Sequence, residues 1–351
     1  MNNISQKKKI TVFHGLVNYG TQSGVFARKL RQKGIDARSV TAIDSYNRIT
    51  DTILKGKPAN WVERIYFTLW NRLFLSCCFF KFDIFHFYFG HTLFLRQWDL
   101  PFYRVFRKKV VFHYLGIDVQ LYQKSIDKYE RTNISTYVEN GKEHDKKVLR
   151  RLANETRYAD IQIVCAPYLS EFVPNSIVLP LAIDLNEYRY TPKANYEDEI
   201  VIMHAPTSRG NKGTKYIVDA WNQLIAEGYP IRTSLVENVS HAELKEEYRQ
   251  CDIFVDQLLG GWYGTASVEA MSIGRPTVCF IREEYFEYID YGNDIPIINA
   301  GPDTIYQVLK NLCDERASLL AIGARSRKFV EKTHDSNHLS DILINLYGTL
   351  Y

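Results

Sequence analysis

The stretch GGWYGTASVEAMSIGRPTV (residues 260–278) joins a glycine-rich turn to an apolar helical run that contains one carboxylate, Glu269. Unpaired N–H groups at Gly264, Thr265 and Ala266 would direct the positive end of the helix dipole toward a bound anion. Glycine also lets an anionic oxygen approach the backbone closely. Glu269 lies about 6 Å further along the helix axis than Thr265, on nearly the same face. This spacing predicts a phosphate at the helix start and a carboxylate that accepts the vicinal hydroxyls of a ribose.

A second group of charged residues follows the strand-like run EIVIMHAP (residues 199–206). Arg209 and Lys212 lie in the polar loop after it, and Gly213 opens the next helical run. In parallel α/β sheets, ligands bind where such strand-to-helix loops meet at the carboxyl ends of the strands. Two cations beside exposed N–H groups suit a diphosphate. The next strand-like run, IRTSLVEN, contains Glu237, and we expect the nucleotide to contact this segment.

Two parallel sheets are needed to position these residues. Short β-branched or aromatic runs alternate with longer helical patterns along the chain, which indicates strand–helix–strand units. The length of 351 residues suits two domains. We predict an α/β protein with Rossmann-like domains at 1–183 and 184–335 and a C-terminal helix at 336–351. The polar segment 184–199 reads as the linker, and a long helical stretch is expected at about 302–331.

Composition narrows the class of protein. The chain has 46% hydrophobic and 24% charged residues, as expected for a soluble globular protein. A net charge of +4 is too small to argue for a nucleic-acid partner. There is no apolar run of signal-peptide length near the start, and the six cysteines include no C-x-x-C pair. We therefore expect a cytoplasmic protein with reduced thiols. The nine histidines are dispersed, and no metal is expected.

Residues 61–90 are unusually rich in large apolar side chains. At helical spacing the segment has one narrow polar stripe, formed by Arg64, Thr68, Asn71 and Arg72. The apolar part is too short and too interrupted to span a bilayer. Two interpretations remain open: a helix packed deep in the N-terminal domain, or a helix at 61–80 that lies in a membrane interface or beside a lipid-linked acceptor. Basic residues at Lys7–Lys9, Lys81 and Arg107–Lys109 suit an anionic membrane surface.

The chain resembles the family-4 retaining glycosyltransferases of the GT-B fold. The resemblance is carried by HAPTSRGNKGT (204–214) and CDIFVDQLLGGWYGTASVEAMSIGRPTV (251–278), with weaker matches at FHFYFGHT (85–92) and VVFHYLGID (110–118). It implies two Rossmann-like domains that face a central cleft, with the C-terminal helix crossing back to the N-terminal domain. It also implies a nucleotide-sugar donor and transfer with retention of anomeric configuration.

The resemblance also implies roles for individual residues. Glu269 is expected to hold the ribose, while Arg209 and Lys212 stabilise the departing diphosphate as catalytic residues. The loop GLVNYGTQSG after the first strand is expected to approach the donor phosphates from the other domain, through Gly20 and Thr21. The cations and the helix start would stabilise the leaving group without a metal or other cofactor.

Two further roles and one departure concern the sugar side of the cleft. His113 is expected near the donor sugar as a catalytic residue, and Asp118 on the acceptor side. The family's E-x7-E pattern has its first glutamate where this chain has Gly261. In the family that glutamate contacts the donor sugar. Asp256 or Gln257, just upstream, could reach the same space.

These features predict a retaining, metal-independent hexosyl- or N-acetylhexosaminyltransferase. Its donor is expected to be an NDP-sugar, with UDP favoured, and its acceptor a glycan, lipid-linked or glycoprotein chain in cell-surface polysaccharide or glycoconjugate synthesis. The departure at Gly261 leaves an alternative: a catalytically silent GT-B protein that binds and stabilises another glycosyltransferase. A sugar-nucleotide epimerase of the same fold is a further alternative. An NAD-dependent enzyme is disfavoured because the loop at 15–24 lacks the G-x-G-x-x-G pattern.

Overall fold

The computed structural model describes residues 10–42, 49–193 and 199–351. In these residues, two all-parallel sheets form the frame of the molecule. The strands of the first sheet are β1 (Thr11–Leu16), β2 (Asp36–Thr41), β3 (Thr52–Ile53), β4 (Ile84–Tyr88), β5 (Lys109–Tyr114), β6 (Ile161–Val164) and β7 (Ile177–Val178). Those of the second are β8 (Ile200–His204), β9 (Ile231–Leu235), β10 (Ile253–Val255), β11 (Thr277–Cys279) and β12 (Ile298–Asn299).

Helices connect these strands and cover both sheets. In the first half they are α1 (Gln22–Gln32), α2 (Trp61–Lys81), α3 (Leu100–Val105), α4 (Tyr122–Lys128), α5 (Ile134–Tyr137) and α6 (Gly141–Tyr158). In the second half they are α7 (Arg209–Lys212), α8 (Thr214–Ala226), α9 (His241–Gln250), α10 (Thr265–Ile273), α11 (Ile305–Asp314), α12 (Ser318–Thr333) and α13 (Ser336–Gly348). The strand–helix alternation confirms the predicted α/β architecture.

Strand order determines where each sheet can bind a ligand. The first sheet has the order β3-β2-β1-β4-β5-β6-β7, and the second has the order β12-β11-β10-β8-β9. In the first sheet β1 has β2 on one side and β4 on the other, and in the second sheet β8 has β9 on one side and β10 on the other. The strand order therefore reverses at β1 and at β8. Ligands bind beyond the carboxyl ends of strands at such switch points. The loops that follow β1, β8 and β10 carry the glycines and cations singled out in the sequence.

The last helix returns to the first sheet. Leu339, Leu343 and Tyr347 of α13 are buried in one apolar cluster with Val12 of β1 and Ile84 of β4. This arrangement confirms the predicted C-terminal helix that crosses back to the N-terminal domain. The helical stretch expected at 302–331 is instead two helices, α11 and α12, which are separated by a turn. Part of the expected linker, residues 194–198, lies outside the described residues.

Helix α2 is mostly exposed rather than buried in the domain. Asn60 caps its N-terminus by accepting the Glu63 N–H, and its buried residues are Leu75, Cys78 and Phe79 near the C-terminal end. Large apolar side chains along the rest of the helix face solvent. The interpretation of α2 as a deeply packed helix is therefore wrong. No helix in the described part of the chain is long and apolar enough to cross a bilayer.

Candidate functional site

The loop after β1 contacts the start of α10. Gly20 has a φ of 53°, and a Cβ at this position would collide with the Thr265 hydroxyl. Only glycine satisfies both the left-handed backbone and the close approach. The side chain of Gln22 fixes the loop, since its Nε2 donates to Gly20 O at 2.8 Å and to Ala182 O at 3.0 Å. Two residues predicted to bind the donor from opposite domains, Gly20 and Thr265, therefore lie together.

Two helix N-termini meet at this contact. Helix α1 begins after Thr21 and α10 begins after Gly264, and neither N-cap residue accepts a hydrogen bond through its side chain. In α1 the side chain of Asn18 accepts from Gly24 N at 3.3 Å. The Thr265 hydroxyl is buried and has no hydrogen-bond partner. Buried polar atoms are normally paired, so an unpaired hydroxyl beside two helix starts indicates a place for an acceptor group. We call this contact between residues 20–21 and 264–266 the helix-start seam.

Lys212 and Asp256 form a buried ion pair beside the seam. Lys212 Nζ donates to Asp256 Oδ1 at 2.6 Å, and Asp256 Oδ2 accepts from Ser267 Oγ at 2.6 Å and from Gly264 N at 3.3 Å. Burial opposes ionisation of Asp256, but the Lys212 ammonium and these hydrogen bonds hold the pKa of the carboxyl below its usual range. Asp256 thus orients Lys212 and α10 rather than reaching free into the cleft.

Arg209 and Glu237 form an ion pair at the protein surface. Arg209 Nε donates to Glu237 Oε1 at 2.9 Å and to Oε2 at 3.2 Å, and the arginine side chain is well exposed. Exposed ion pairs contribute little to stability. Arg209, predicted to contact the diphosphate, and Glu237, predicted to contact the nucleotide, are therefore paired with each other. Breaking this exposed ion pair to bind a ligand would cost little free energy.

Glu269 is held in a buried polar network. It is 5% exposed. Its Oε1 accepts from Tyr188 OH at 2.7 Å and from His241 Nε2 at 2.9 Å, and its Oε2 accepts from Tyr248 OH at 3.4 Å. The structure leaves little of this carboxylate open to the cleft. A ribose would have to compete with Tyr188, His241 and Tyr248 for this carboxylate.

His113 lies in the core. It is 1% exposed. Its Nδ1 shares a hydrogen bond of 3.2 Å with Nε2 of His86, and His86 stacks on His14 with 4.9 Å between ring centroids. Burial lowers the pKa of His113 to about 3. Alternate residues of a strand face opposite sides of a sheet, and His113 faces the side packed against Phe26 of α1. The structure therefore does not support the predicted catalytic role.

Asp118 closes the turn that follows β5. The residue is buried, and its Oδ1 accepts from Gly116 N at 2.8 Å and from Leu115 N at 3.2 Å. Burial raises the pKa of Asp118 to about 7. The carboxyl is engaged with its own backbone turn, and a contact with an acceptor stays a prediction.

An arginine occupies the space above Gly261. Gly261 has a φ of 76°, and any Cβ there would collide with the Arg282 guanidinium. A glutamate at 261 could not be accommodated in this conformation. Gln257 does not reach into the cleft instead, because its Nε2 donates to Trp262 O within the same loop at 2.5 Å.

His334 and His338 are four residues apart, a spacing that is also found between metal-binding histidines on a helix. His334 is engaged by protein groups, with its Nδ1 bonded to Leu181 O at 2.7 Å and its Nε2 sharing a bond of 3.1 Å with Tyr263 OH. Within the described ranges, no group of three or more His, Cys, Asp or Glu side chains could hold a metal ion.

Solved structures share this architecture over nearly the whole chain. Sucrose-phosphate synthase from Thermosynechococcus elongatus is 16% identical, with 98% of this chain and 99% of that chain covered at a TM-score of 0.67. Anabaena HepE, solved with UDP-glucose, is 12% identical over 97% and 99% of the two chains, with a TM-score of 0.64. MnaA of S. aureus, solved with UDP, is 13% identical over 97% and 98%, with a TM-score of 0.55.

At these identities the likeness shows the fold. The chain is a two-domain GT-B protein, as its two parallel sheets and returning C-terminal helix indicate. No protein-family model matches the sequence, and no curated protein matches it.

Proposed function

We propose that this GT-B chain is a glycosyltransferase that moves a sugar from a nucleoside diphosphate donor to an acceptor. The observation that carries the proposal is the helix-start seam, where Gly20 meets Thr265, the Thr265 hydroxyl is buried without a partner, and Lys212 lies close by. Helix N-termini with a nearby cation favour a diphosphate. UDP is favoured as the nucleotide because HepE and MnaA, which share the fold, were solved with UDP-glucose and UDP.

The chemistry follows from the charges at the seam. Transfer breaks the bond between the anomeric carbon and the β-phosphate, and negative charge grows on the phosphate as the bond lengthens. The N–H groups of Thr265 and Ala266, together with the Lys212 ammonium, would stabilise that charge more in the transition state than in the ground state. Arg209 would add a second cation on release from Glu237. This set supplies the positive charge for metal-independent transfer, which we propose to proceed with retention.

The acceptor is proposed to be a glycan, glycoprotein or lipid-linked chain, and the exposed surface of the N-terminal domain favours a lipid-linked one. The outer face of α2 exposes apolar side chains at helical spacing, including Leu69 at 61% and Leu73 at 63%. Lys55 Nζ lies 4.3 Å from the ring centre of Tyr66 and 4.6 Å from that of Trp70. Aromatic rings and long cationic side chains of this kind suit a membrane interface.

The exposed apolar surface continues from α2 to α3. Phe80 of α2 and Phe106 after α3 are both exposed, with ring centres 5.9 Å apart, and Val105 is exposed beside them. Residues 55–109 contain ten Lys and Arg against three Asp and Glu. This surface therefore suits an anionic membrane on which an acceptor could lie. Lys7–Lys9, expected to add to it, lie outside the described residues.

A donor assay tests the proposed function. The protein is incubated with UDP- and GDP-sugars, with and without membrane lipid extracts as acceptor, and released nucleotide and sugar products are followed by NMR. We expect nucleoside diphosphate release that requires Lys212. A changed sugar without release would indicate an epimerase. If the protein neither releases nor binds a nucleotide, the proposal is contradicted.

One observation favours the second candidate, a catalytically silent GT-B partner of another glycosyltransferase. In this conformation a side chain at position 261 would collide with Arg282, and the carboxylates of Asp256 and Glu269 are engaged by the protein's own donors. A silent partner would bind no nucleotide sugar, and the same assay therefore separates the two candidates.

A further inference from the structure

A surface cavity of about 640 Å³ lies at the edge of the first sheet where β5 and β6 begin. Its lining includes Lys109 and Val110 of β5, and Ala159 and Asp160 just before β6. Parallel strands begin at one edge of a sheet and end at the other, and the loop of the helix-start seam follows the carboxyl end of β1. The cavity is therefore separate from the proposed donor site.

This cavity is rich in positive charge. The basic side chains that line it are those of Arg104, Arg107, Lys108 and Lys109. Its acidic side chain is that of Asp160, whose Oδ1 lies 3.1 Å from Lys109 Nζ and whose Oδ2 accepts from Val110 N at 2.8 Å. Asp160 thus offsets one of the four cations and is held in place by the backbone. The excess of positive charge attracts an anion.

Arg104 and Arg107 keep N–H donors available to such an anion. Both are exposed, and neither belongs to an ion pair in the part of the chain that the structure describes. Arg104 Nη2 donates to Arg157 O at 2.8 Å, and its guanidinium lies 5.2 Å from the ring centre of Tyr158. The hydrogen bond uses one of the five N–H donors of this guanidinium, so the others can reach a ligand.

A second cavity in the same domain differs in this respect. It has about 310 Å³, and its basic lining residues are Arg31, Arg38 and Lys81. Arg31 is paired with Asp51 at 2.6 Å and Lys81 with Asp36 at 3.1 Å. Two of its three cations thus have acidic partners, whereas the arginines of the larger cavity have none among the described residues. The larger cavity is therefore the better place for an anionic ligand.

Exposed apolar side chains border the larger cavity. Val105 and Phe106 stand between its two arginines in the sequence, and Val105 is 74% exposed. The centre of the Phe106 ring lies 5.9 Å from that of Phe80, which is 66% exposed at the end of α2. Lys108 Nζ donates to Phe80 O at 3.1 Å, so the end of α2 is joined to the cavity lining. Cations and exposed apolar side chains therefore meet at one place.

We infer that this cavity binds the phosphate of an anionic phospholipid, whose acyl chains lie along Phe80, Val105 and Phe106. Guanidinium groups bind phosphate oxygens through paired N–H donors, and an apolar surface beside them suits hydrocarbon chains. A free phosphate or a nucleotide would use the cations alone and leave the apolar side chains exposed. The inference rests on the proposed function in one respect, the membrane contact of α2, and adds a defined lipid site to it.

Such a site would also orient the protein on the membrane. Helix α2 has 21 residues, which corresponds to a length of about 30 Å. It follows β3 at the carboxyl edge of the sheet and ends before β4 at the amino edge. A phospholipid in the cavity would hold one end of the exposed α2 face against the membrane, and the other end would lie at the edge that faces the cleft. A lipid-linked acceptor would then be within reach of the cleft.

Short-chain phospholipids test the inference without vesicles. Titration calorimetry measures the binding of dihexanoyl phosphatidylglycerol to the unmodified protein, below the concentration at which this lipid forms micelles. Dihexanoyl phosphatidylcholine has the same chains with no net charge, and glycerol 3-phosphate has the phosphate without chains. We expect saturable binding of one phosphatidylglycerol per protein, at least about tenfold tighter than either comparison compound, because each of them lacks one of the two contacts.

Arg104→Gln with Arg107→Gln then assigns the binding to the cavity. Removing both guanidinium groups should weaken phosphatidylglycerol binding at least about tenfold, the scale of one charge-assisted hydrogen bond. Because both side chains are exposed, the melting temperature should stay unchanged. Lys146→Gln with Arg150→Gln removes the same charge from exposed positions of α6 and is the matched control, which should bind as the unmodified protein does.

The outcomes separate this inference from the proposed function. Glycerol 3-phosphate that binds as tightly as phosphatidylglycerol would show a free-phosphate site and overturn the lipid assignment. Equal affinity of the two double variants would mean general surface charge and would overturn it as well. So would the absence of phosphatidylglycerol binding, while nucleoside diphosphate release in the donor assay would still support the proposed function. Conversely, lipid binding by a protein that neither releases nor binds a nucleotide would contradict the proposed function and support the lipid site.

Discussion

Single residues at this site owe their positions to partners that are distant in the sequence. Lys212 is directed by Asp256, and Glu269 is enclosed by Tyr188, His241 and Tyr248. Loop and helix patterns predicted that Lys212 and Glu269 lie near the cleft. They could not predict that three donors engage the Glu269 carboxylate, because the sequence does not indicate which group a tyrosine hydroxyl will contact.

Lys212→Met tests the proposed role of the cation. The change is expected to lower the rate of donor cleavage by about 10²–10³, the effect of removing one pre-placed group that stabilises the leaving charge. It also leaves Asp256 buried without its ion-pair partner, which should lower the free energy of unfolding by about 3–5 kcal/mol. Steady-state kinetics and urea unfolding measure the two effects.

The double variant Lys212→Met with Asp256→Asn serves as the control. Removing both charges together should recover most of the lost stability without recovering the rate. Recovery of the rate along with the stability would mean that Lys212 is only a structural residue.

Glu269→Gln tests the predicted ribose contact. If ribose hydroxyls replace Tyr188 or His241 at this carboxylate, the variant should bind UDP about tenfold more weakly, the value of one charge-assisted hydrogen bond. Its affinity for inorganic pyrophosphate should not change, since that ligand lacks the sugar. Tyr188→Phe, which removes one donor and keeps the carboxylate, is the matched control. Equal loss of UDP and pyrophosphate affinity would count against the contact.

At the scale of elements, the sequence identified most strands and the helix that begins at Thr265. The reason is that central parallel strands are buried on both faces, so β4 and β8 are nearly continuous apolar runs. Helix α2 was ambiguous because it is apolar on two faces, and periodicity alone does not say which face packs on the sheet. The burial of His113 was not predictable for a similar reason, since a strand end near a cleft does not reveal which side of the sheet its side chains face.

The exposed face of α2 gives a membrane-binding prediction. Leu69→Ser with Leu73→Ser should reduce co-sedimentation with phosphatidylglycerol-containing vesicles at least about tenfold, because each buried leucine contributes roughly 1.5–3 kcal/mol. Both side chains are exposed, so the fold and its melting temperature should not change.

The matched control replaces exposed apolar residues of the second half, in Ile225→Ser with Leu320→Ser. This variant should bind vesicles as the unmodified protein does. If both double variants bind vesicles equally, or if the unmodified protein does not bind them, the α2 face does not bind a membrane and would contact another partner.

At the scale of the whole molecule, a row of histidines joins the first sheet to the returning helix α13. His14, His86 and His113 are buried side by side, and His86 Nδ1 shares a bond of 2.7 Å with Tyr347 OH of α13. Burial and the neighbouring histidine lower the pKa of His14 to about 3, and burial lowers that of His113 to about 3 as well. All three are neutral in the folded state near pH 7.

This row predicts loss of stability in acid. The folded pKa values lie below the unfolded value of about 6.5, so the unfolded chain takes up protons first as the pH falls. Stability should be complete above pH 6.5 and decrease toward pH 3, by up to about 1.4 kcal/mol per pH unit for each histidine. Melting temperatures between pH 7.5 and 5 measure the slope. His14→Gln should reduce the slope, whereas the exposed His338→Gln should not, and a melting temperature independent of pH would contradict the prediction.

The central claim is that a nucleoside diphosphate binds where the two halves of the molecule meet, at the starts of α1 and α10. The most direct measurement is a crystal structure with whichever nucleoside diphosphate gives the largest thermal shift. The account predicts phosphate oxygens within hydrogen-bonding distance of the Thr265 and Ala266 N–H groups and the Thr265 hydroxyl, with the Gly20 loop on the opposite side. A nucleotide bound elsewhere, with Gly20 still packed against Thr265, would contradict it.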